Sequence, residues 1–125
     1  MAEAHIGADQ RPVVDRLVAA VDCGAQINPD IVRQQIEGGL IFGMAAALGA
    51  STGFTRGLAD ARGFDTIGLP RLADTPDITV EVIHSDEAPG GVGELGVPAV
   101  APAIANALYA STGFRIRNLP LRPAP

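Results

Sequence analysis

Runs of apolar residues bounded by turn residues divide the chain into predicted strands. Two such runs predict strands over Ala2–Ile6 and Pro12–Val21, which the turn at residues 7–10 joins into a hairpin. Alternation of apolar and polar positions predicts a further strand over Asp77–His84. A short strand is also predicted around Phe54–Leu58.

The first predicted helix has a clear beginning and end. Asn28 is a favourable N-cap, and Pro29 fits the first helical position. The helix is therefore expected to run from Pro29 to about Leu48, with Gly49 as its stop signal. 

One face of this helix carries only small residues. Gly39, Gly43 and Ala47 recur every four residues, which places them on the same side of the helix. Glycine weakens a helix by about 1 kcal/mol relative to alanine. We therefore expect another element to pack closely against this face.

The remaining segments complete an α+β pattern. A second helix is predicted to start by Pro102 at the latest and to reach about Ser111, and residues 69–76 and 85–93 are predicted loops. Residues 114–121 are predicted to form a short final strand or an extended tail, and Pro123 and Pro125 follow it. The order β-β-α-(β)-β-α-β predicts a single domain over residues 1–125 with two helices packed on a mainly antiparallel or mixed sheet.

Composition and charge exclude several classes of function. The net charge is −5, every basic residue is an arginine and only 4% of residues are aromatic, which argues against nucleic-acid binding. The apolar stretch Leu40–Leu48 is too short to span a bilayer. The N-terminus lacks the basic and apolar regions of a signal peptide, which favours a cytoplasmic location; periplasmic export within a complex is the alternative.

Few side chains are suited to metal binding. The single cysteine, Cys23, follows an apolar run and is predicted to be a buried small apolar residue. His5 and His84 lie far apart in the sequence, with no ligand spacing around them. We therefore predict no metal ligand in this chain.

Two glycine-rich segments have sequences that packing alone does not explain. The first contains Asp-Cys-Gly and Asn-Pro within residues 22–29, followed by Gln-Gln-Ile-Glu-Gly-Gly at 34–39. The second is Gly-Gly-Val-Gly-Glu-Leu-Gly at 90–96, followed by Ala-Pro-Ala-Ile-Ala-Asn-Ala at 101–107. In this order they resemble the C-terminal segment of the molybdopterin-binding large subunit of the xanthine dehydrogenase/aldehyde oxidase family of molybdenum hydroxylases. The resemblance covers nearly the whole chain and is closest to the isoquinoline 1-oxidoreductase and aldehyde dehydrogenase branch.

This resemblance implies a cofactor and a set of site residues. The family uses a molybdenum–molybdopterin cofactor, here expected in its cytosine dinucleotide form, to hydroxylate an aldehyde or N-heterocycle with oxygen from water. Glu94 matches the family's general base, and Gln35 matches a glutamine that hydrogen-bonds the cofactor region. Gly91 and Gly93 are predicted to shape the loop around Glu94 and to contact the cofactor through their backbone. Leu95 stands where the family often has proline.

The resemblance also implies partners, because most of such a subunit is missing from 125 residues. The expected partners are the remainder of the molybdopterin-binding subunit, a 2Fe-2S subunit and a flavin or cytochrome subunit. One cysteine cannot supply an iron–sulfur cluster, and the chain alone is expected to be inactive. The alternative is a non-catalytic folding or interaction module that forms a homo-oligomer through its bared surfaces. A third hypothesis is a small ligand-binding domain with unrelated chemistry.

Overall fold

The computed structural model describes residues 1–122, which form a three-stranded sheet, a separate two-stranded hairpin and two long helices. The strands are β1 (Ala2–Ile6), β2 (Pro12–Val21), β3 (Phe54–Thr55), β4 (Leu58–Ala59) and β5 (Asp77–Val82). The helices are α1 (Pro29–Leu48) and α2 (Val100–Thr112), and a 3-10 turn occupies Leu72–Asp74.

The main sheet is mixed and has the order β1-β2-β5. β1 and β2 pair antiparallel, as expected for a tight hairpin. β2 and β5 pair parallel, because the chain crosses over through α1 before it returns to the sheet. These pairings and the two helices confirm the α+β class predicted from the sequence.

Helix α1 has the limits that its capping residues predict. The side-chain oxygen of Asn28 accepts a hydrogen bond from the backbone N–H of Ile31 at 3.1 Å, and Pro29 is the first helical residue. At the other end, the N–H of Gly49 donates to the carbonyl of Ala45. The helix therefore begins and ends where the sequence indicates.

The small-residue face of α1 allows the close approach predicted for it. A Cβ built on Gly43 would lie 2.5 Å from the carbonyl oxygen of Val97, which leaves no room for a side chain. Ala47, on the same face, is completely buried. The segment just before α2 therefore packs directly on the backbone of α1.

The core fills the space between the two helices and one face of the sheet. Leu17 and Val80 contribute from the strands, and Ile36 and Met44 contribute from α1. On the opposite face of the sheet, the carboxylate of Asp15 lies 2.8 Å from a ring nitrogen of His5. The sheet thus has one apolar and one polar face, so both helices lie on the same side of it.

Two predicted strands differ in detail from the structure. Residues 54–59 form two very short strands around a turn in which Arg56 and Gly57 have positive φ angles, rather than one strand. β5 stops at Val82, because β2 ends at Val21 and the bond from Ile83 N–H to the Val21 carbonyl is the last between them.

The C-terminal segment is an extended tail, which corrects the strand alternative. The N–H of Leu121 donates to the carbonyl of Ala47 at 2.8 Å, and the Leu121 side chain is buried. The tail is held at the end of α1, where it has no strand to pair with. Pro123 and Pro125 lie outside the described residues.

Candidate functional site

The two glycine-rich segments that stand out in the sequence lie side by side in the structure. The N–H of Ala25 donates to the Glu87 carbonyl at 2.9 Å, and the N–H of Gly90 donates to the Cys23 carbonyl at 2.7 Å. Gly24, between them, has a φ of 72°, and a Cβ at this position would overlap the carbonyl of Ala88. Glycine is therefore required at position 24, and the two loops form one surface.

A second contact fixes the loop that carries Glu94. A Cβ on Gly96 would lie 2.7 Å from the Ile36 carbonyl oxygen and 3.0 Å from the Leu40 nitrogen of α1. Gly96 comes two residues after Glu94, and Ile36 directly follows Gln35. The segments that carry the two predicted site residues are thus adjacent at this contact.

The four predicted site residues all lie at the surface. Glu94, Gln35, Gly91 and Gly93 are exposed, although neighbouring Ile36 and Gly96 are buried. The carboxylate of Glu94 and the amide of Gln35 are therefore accessible to groups outside the chain. The backbone turns directly after Glu94, whose carbonyl accepts a hydrogen bond from the N–H of Val97 at 3.1 Å.

At three positions near this surface, neither contacts within the chain nor the backbone conformation requires glycine. A Cβ added at Gly38, Gly91 or Gly93 would meet no atom within 4 Å, and none of the three has a positive φ angle. Neither packing within the described residues nor backbone conformation explains them.

Gly38 is a residue that the sequence reasoning missed. It lies next to Gly39, whose glycine is explained by packing, and the sequence analysis includes it in the segment 34–39 without giving it a role. The available signal was its position: Gly38 lies outside the four-residue repeat of small residues, so close helix packing could not account for it.

A groove of about 310 Å³ runs beside this surface. The end of β2 forms one side of it, and Leu95 and Gly96 form part of the other. The remaining lining residues are mostly apolar and come from the N-terminus and the two helices, with Met1, Leu40, Ala99, Val100 and Ala103 among them. Leu95, the neighbour of Glu94, therefore joins the groove to the candidate site.

Other candidate polar groups have structural roles. The guanidinium of Arg33 donates to the backbone carbonyl of Val80 in β5. Cys23 is buried, as predicted.

Among residues 1–122, no group of three or more histidine, cysteine or acidic side chains is arranged to hold a metal ion. No helix in this part of the chain is long and apolar enough to cross a membrane.

Several large apolar side chains are exposed to solvent. Phe42 on α1, Phe54 on β3 and Phe64 in the following loop are 67%, 74% and 84% exposed. Leu72 and Ile27 are also almost fully exposed. Where such side chains form one contiguous patch, that patch usually contacts other protein.

Comparison with known proteins shows the family to which the chain belongs. The family described as the molybdopterin cofactor-binding domain matches residues 10–76, which is more than half of the chain and ends before Glu94. The chain is 37% identical over 125 residues to isoquinoline 1-oxidoreductase subunit beta of Brevundimonas diminuta. It is 35% identical over 125 residues to a membrane-bound aldehyde dehydrogenase of Gluconacetobacter polyoxogenes. Each alignment covers 99% of this chain but only 16% of the relative.

Solved structures show the same fold within larger proteins. CO dehydrogenase from Oligotropha carboxidovorans matches with a TM-score of 0.72 and 28% identity, over 86% of this chain and 15% of the enzyme chain. Quinoline 2-oxidoreductase from Pseudomonas putida 86 matches with a TM-score of 0.69 and 27% identity, over 94% of this chain and 16% of that chain. The 125 residues thus span about one sixth of the length of these proteins.

Proposed function

The chain belongs to the molybdopterin cofactor-binding domain family of the molybdenum hydroxylases, and from this premise we propose that it supplies one side of the catalytic centre of such an enzyme. The observation that carries the proposal is the surface formed by the paired glycine-rich loops. On that surface Glu94 and Gln35 are exposed, and Gly38, Gly91 and Gly93 have no internal reason to be glycine.

The residues of this surface suit a molybdenum–molybdopterin cofactor, which we propose is in its cytosine dinucleotide form. The bare backbone at Gly91 and Gly93 lets a large ligand approach closely, and their N–H and C=O groups can hydrogen-bond with it. The Gln35 amide can donate and accept at once, which suits the mixed polar edge of a pterin. No metal ligand is assigned to this chain, so these residues would hold the organic part of the cofactor.

Glu94 is the proposed general base. When bound, the cofactor would accept the two electrons removed from the substrate carbon. The Glu94 carboxylate would take the proton from the water-derived oxygen that attacks this carbon. A general base must come within about 3 Å of that proton. The contact between Gly96 and α1 fixes the backbone two residues after Glu94, and so limits the positions that its carboxylate can reach.

The rest of the enzyme would complete the site. Because Glu94 and Gln35 are exposed here, the remainder of the subunit would cover them and exclude bulk water. The exposed phenylalanines Phe42, Phe54 and Phe64 provide apolar surface for that contact. A 2Fe-2S subunit and a flavin or cytochrome subunit would carry electrons away, and an aldehyde or N-heterocycle would be the substrate. On this proposal the isolated chain has no hydroxylase activity.

A second candidate function follows from the same exposed apolar surface. Without the rest of a subunit, Phe42 and its exposed neighbours could be covered by other copies of this chain. The chain would then be a non-catalytic module that forms a homo-oligomer. This candidate explains the apolar exposure but not the glycines at 38, 91 and 93.

The decisive experiment measures molybdenum in the purified chain by elemental mass spectrometry, with and without co-expression of the remainder of a molybdopterin-binding subunit. Light scattering on the same samples gives the oligomeric state. We expect molybdenum and pterin only in the co-expressed complex. A stable homo-oligomer that contains no molybdenum under either condition would contradict the catalytic proposal and support the second candidate.

A further inference from the structure

One side chain connects the loop that carries Glu94 to the hydrophobic core. In the fully described stretch from Asp86 to Leu95, every residue is exposed except Val92. Val92 is half-buried and packs against the core that lies between the sheet and the two helices. Its side chain is therefore the anchor of this stretch, two residues before Glu94 in the sequence.

Val92 stands between two glycines that add no constraint of their own. Gly91 and Gly93 are exposed, and a Cβ at either position would meet no atom within 4 Å. Glycine has more backbone freedom than any other residue, so these two positions alone would let the backbone before Glu94 take many conformations. Valine has a β-branched side chain with few rotamers, which makes it a stiff anchor once it is packed.

Backbone hydrogen bonds hold the loop on both sides of Val92 but not at it. Before Val92, the N–H of Gly90 donates to the Cys23 carbonyl at 2.7 Å. After it, the Glu94 carbonyl accepts from the N–H of Val97 at 3.1 Å. Residues 91–93 form no backbone hydrogen bond with any other described residue. The position of these three residues therefore depends on the packing of the Val92 side chain.

We propose that Val92 is a positioning residue for Glu94: the packing of its side chain on the core sets where the Glu94 carboxylate can reach. The inference rests on the proposed function, because it takes Glu94 as the general base. Val92 acts through the backbone of Gly93 and Glu94 and not by contact with the substrate. A displacement of a reacting group by about 1 Å can lower a rate about a hundredfold, so a loosened anchor is enough to impair proton transfer.

The first test is a double-mutant cycle on the turnover of the assembled enzyme. We expect Val92→Ala to lower kcat by about tenfold or more, with KM and molybdenum content within about twofold of the unsubstituted enzyme. In the Glu94→Gln background, the same substitution should lower the remaining kcat by less than about twofold, because no base is left to position. An equal loss in both backgrounds would overturn the proposal, since a merely structural role of Val92 does not depend on Glu94.

The conservative variant Val92→Ile is the matched control for this cycle. Isoleucine keeps a β-branched apolar side chain that can pack on the core, so Val92→Ile should retain kcat within about threefold. Val92→Ala removes two methyl groups from the same contact and keeps the backbone unchanged. Equal losses of kcat in the two variants would contradict the proposal, because the loss would then not follow from the anchor.

A measurement on the 125-residue chain tests the anchor without any turnover. NMR relaxation gives the order parameters of the backbone amides, and those of Gly93 and Glu94 should fall from about 0.8 to below about 0.6 in Val92→Ala. Met44, which is completely buried in α1, is the internal reference and should not change. Unchanged order parameters at Gly93 and Glu94 would overturn the proposal. So would an equal fall at Met44, because the substitution would then loosen the whole fold.

Failure of this inference can be told apart from failure of the proposed function. A fall in the order parameters of Val92→Ala, together with near-normal turnover in Glu94→Gln, would uphold Val92 as the anchor of the loop and reject Glu94 as the base. A large loss of turnover in Glu94→Gln with no loss in Val92→Ala would do the reverse.

Discussion

The backbone of Gly39 lies directly against the backbone of Gly96: a Cβ built on Gly39 would be 3.2 Å from the Cα of Gly96. The contact joins the middle of α1 to the loop that carries Glu94. The requirement for glycine is strongest at Gly96, where a Cβ would lie 2.7 Å from the Ile36 carbonyl oxygen of α1. Two residues far apart in the sequence thus fix the position of the candidate site.

Gly96→Ala is therefore expected to destabilise the chain. Its new methyl group would lie 2.7 Å from the Ile36 carbonyl oxygen, and backbone cannot move away as a flexible side chain can. Overpacking of this kind costs about 1–3 kcal/mol in the free energy of unfolding, which urea denaturation would measure. Gly91→Ala, where a Cβ meets nothing within 4 Å, is the matched control and should change stability by less than about 0.5 kcal/mol. Equal stabilities of the two variants would show that the contact is not tight.

Much of the fold could be predicted because it depends on local signals. The limits of α1 follow from Asn28 and Gly49, whose capping roles operate within one turn of helix. The hairpin of β1 and β2 likewise follows from the turn between two apolar runs. The sequence alone does not decide between a strand and a tail for the final segment, because its conformation depends on a tertiary bond from Leu121 to Ala47 that no local pattern encodes.

The candidate site was predictable only in part. The sequence identified Glu94 and Gln35 through motif resemblance, but the adjacency of their segments depends on the Gly96 contact with α1. The role of Arg33 could not be predicted either, because its guanidinium donates to the Val80 carbonyl, which only the tertiary fold brings near. Gly38 was missed because an exposed glycine can be recognised as unexplained only after the surrounding atoms are known.

Gly38→Ala should have opposite effects on stability and on cofactor binding. In the isolated chain the new methyl group meets no atom within 4 Å, so the helix gains up to about 1 kcal/mol of stability in urea denaturation. In the assembled enzyme the same methyl group should hinder the cofactor and lower the molybdenum content. Gly43→Ala, on the packed face of the same helix, should instead destabilise the isolated chain, because its Cβ would lie 2.5 Å from the Val97 carbonyl oxygen. A loss of stability in Gly38→Ala would mean that this glycine has a packing role after all.

Gln35→Ala tests the proposed amide contact with the cofactor. Gln35 is exposed on α1, so its removal should change the stability of the isolated chain by less than about 0.5 kcal/mol. In the assembled enzyme, loss of one hydrogen bond of about 1 kcal/mol should weaken cofactor retention by about fivefold, measured as molybdenum remaining after dialysis. Gln34→Ala, also exposed, is the control. If both variants retain molybdenum equally, Gln35 does not contact the cofactor.

Glu94→Gln separates catalysis from binding. The amide has nearly the same shape as the carboxylate but cannot accept the proton, so turnover of the assembled enzyme should fall by about 10²–10⁴-fold. Molybdenum content should stay unchanged, because the cofactor contacts assigned to this chain lie at Gln35 and the glycines. Glu87→Gln is the matched control: this second exposed carboxylate lies on the same loop and should leave turnover near the wild-type rate. Near-normal turnover in Glu94→Gln would remove Glu94 from the mechanism, whereas loss of molybdenum would make it a binding residue instead of a base.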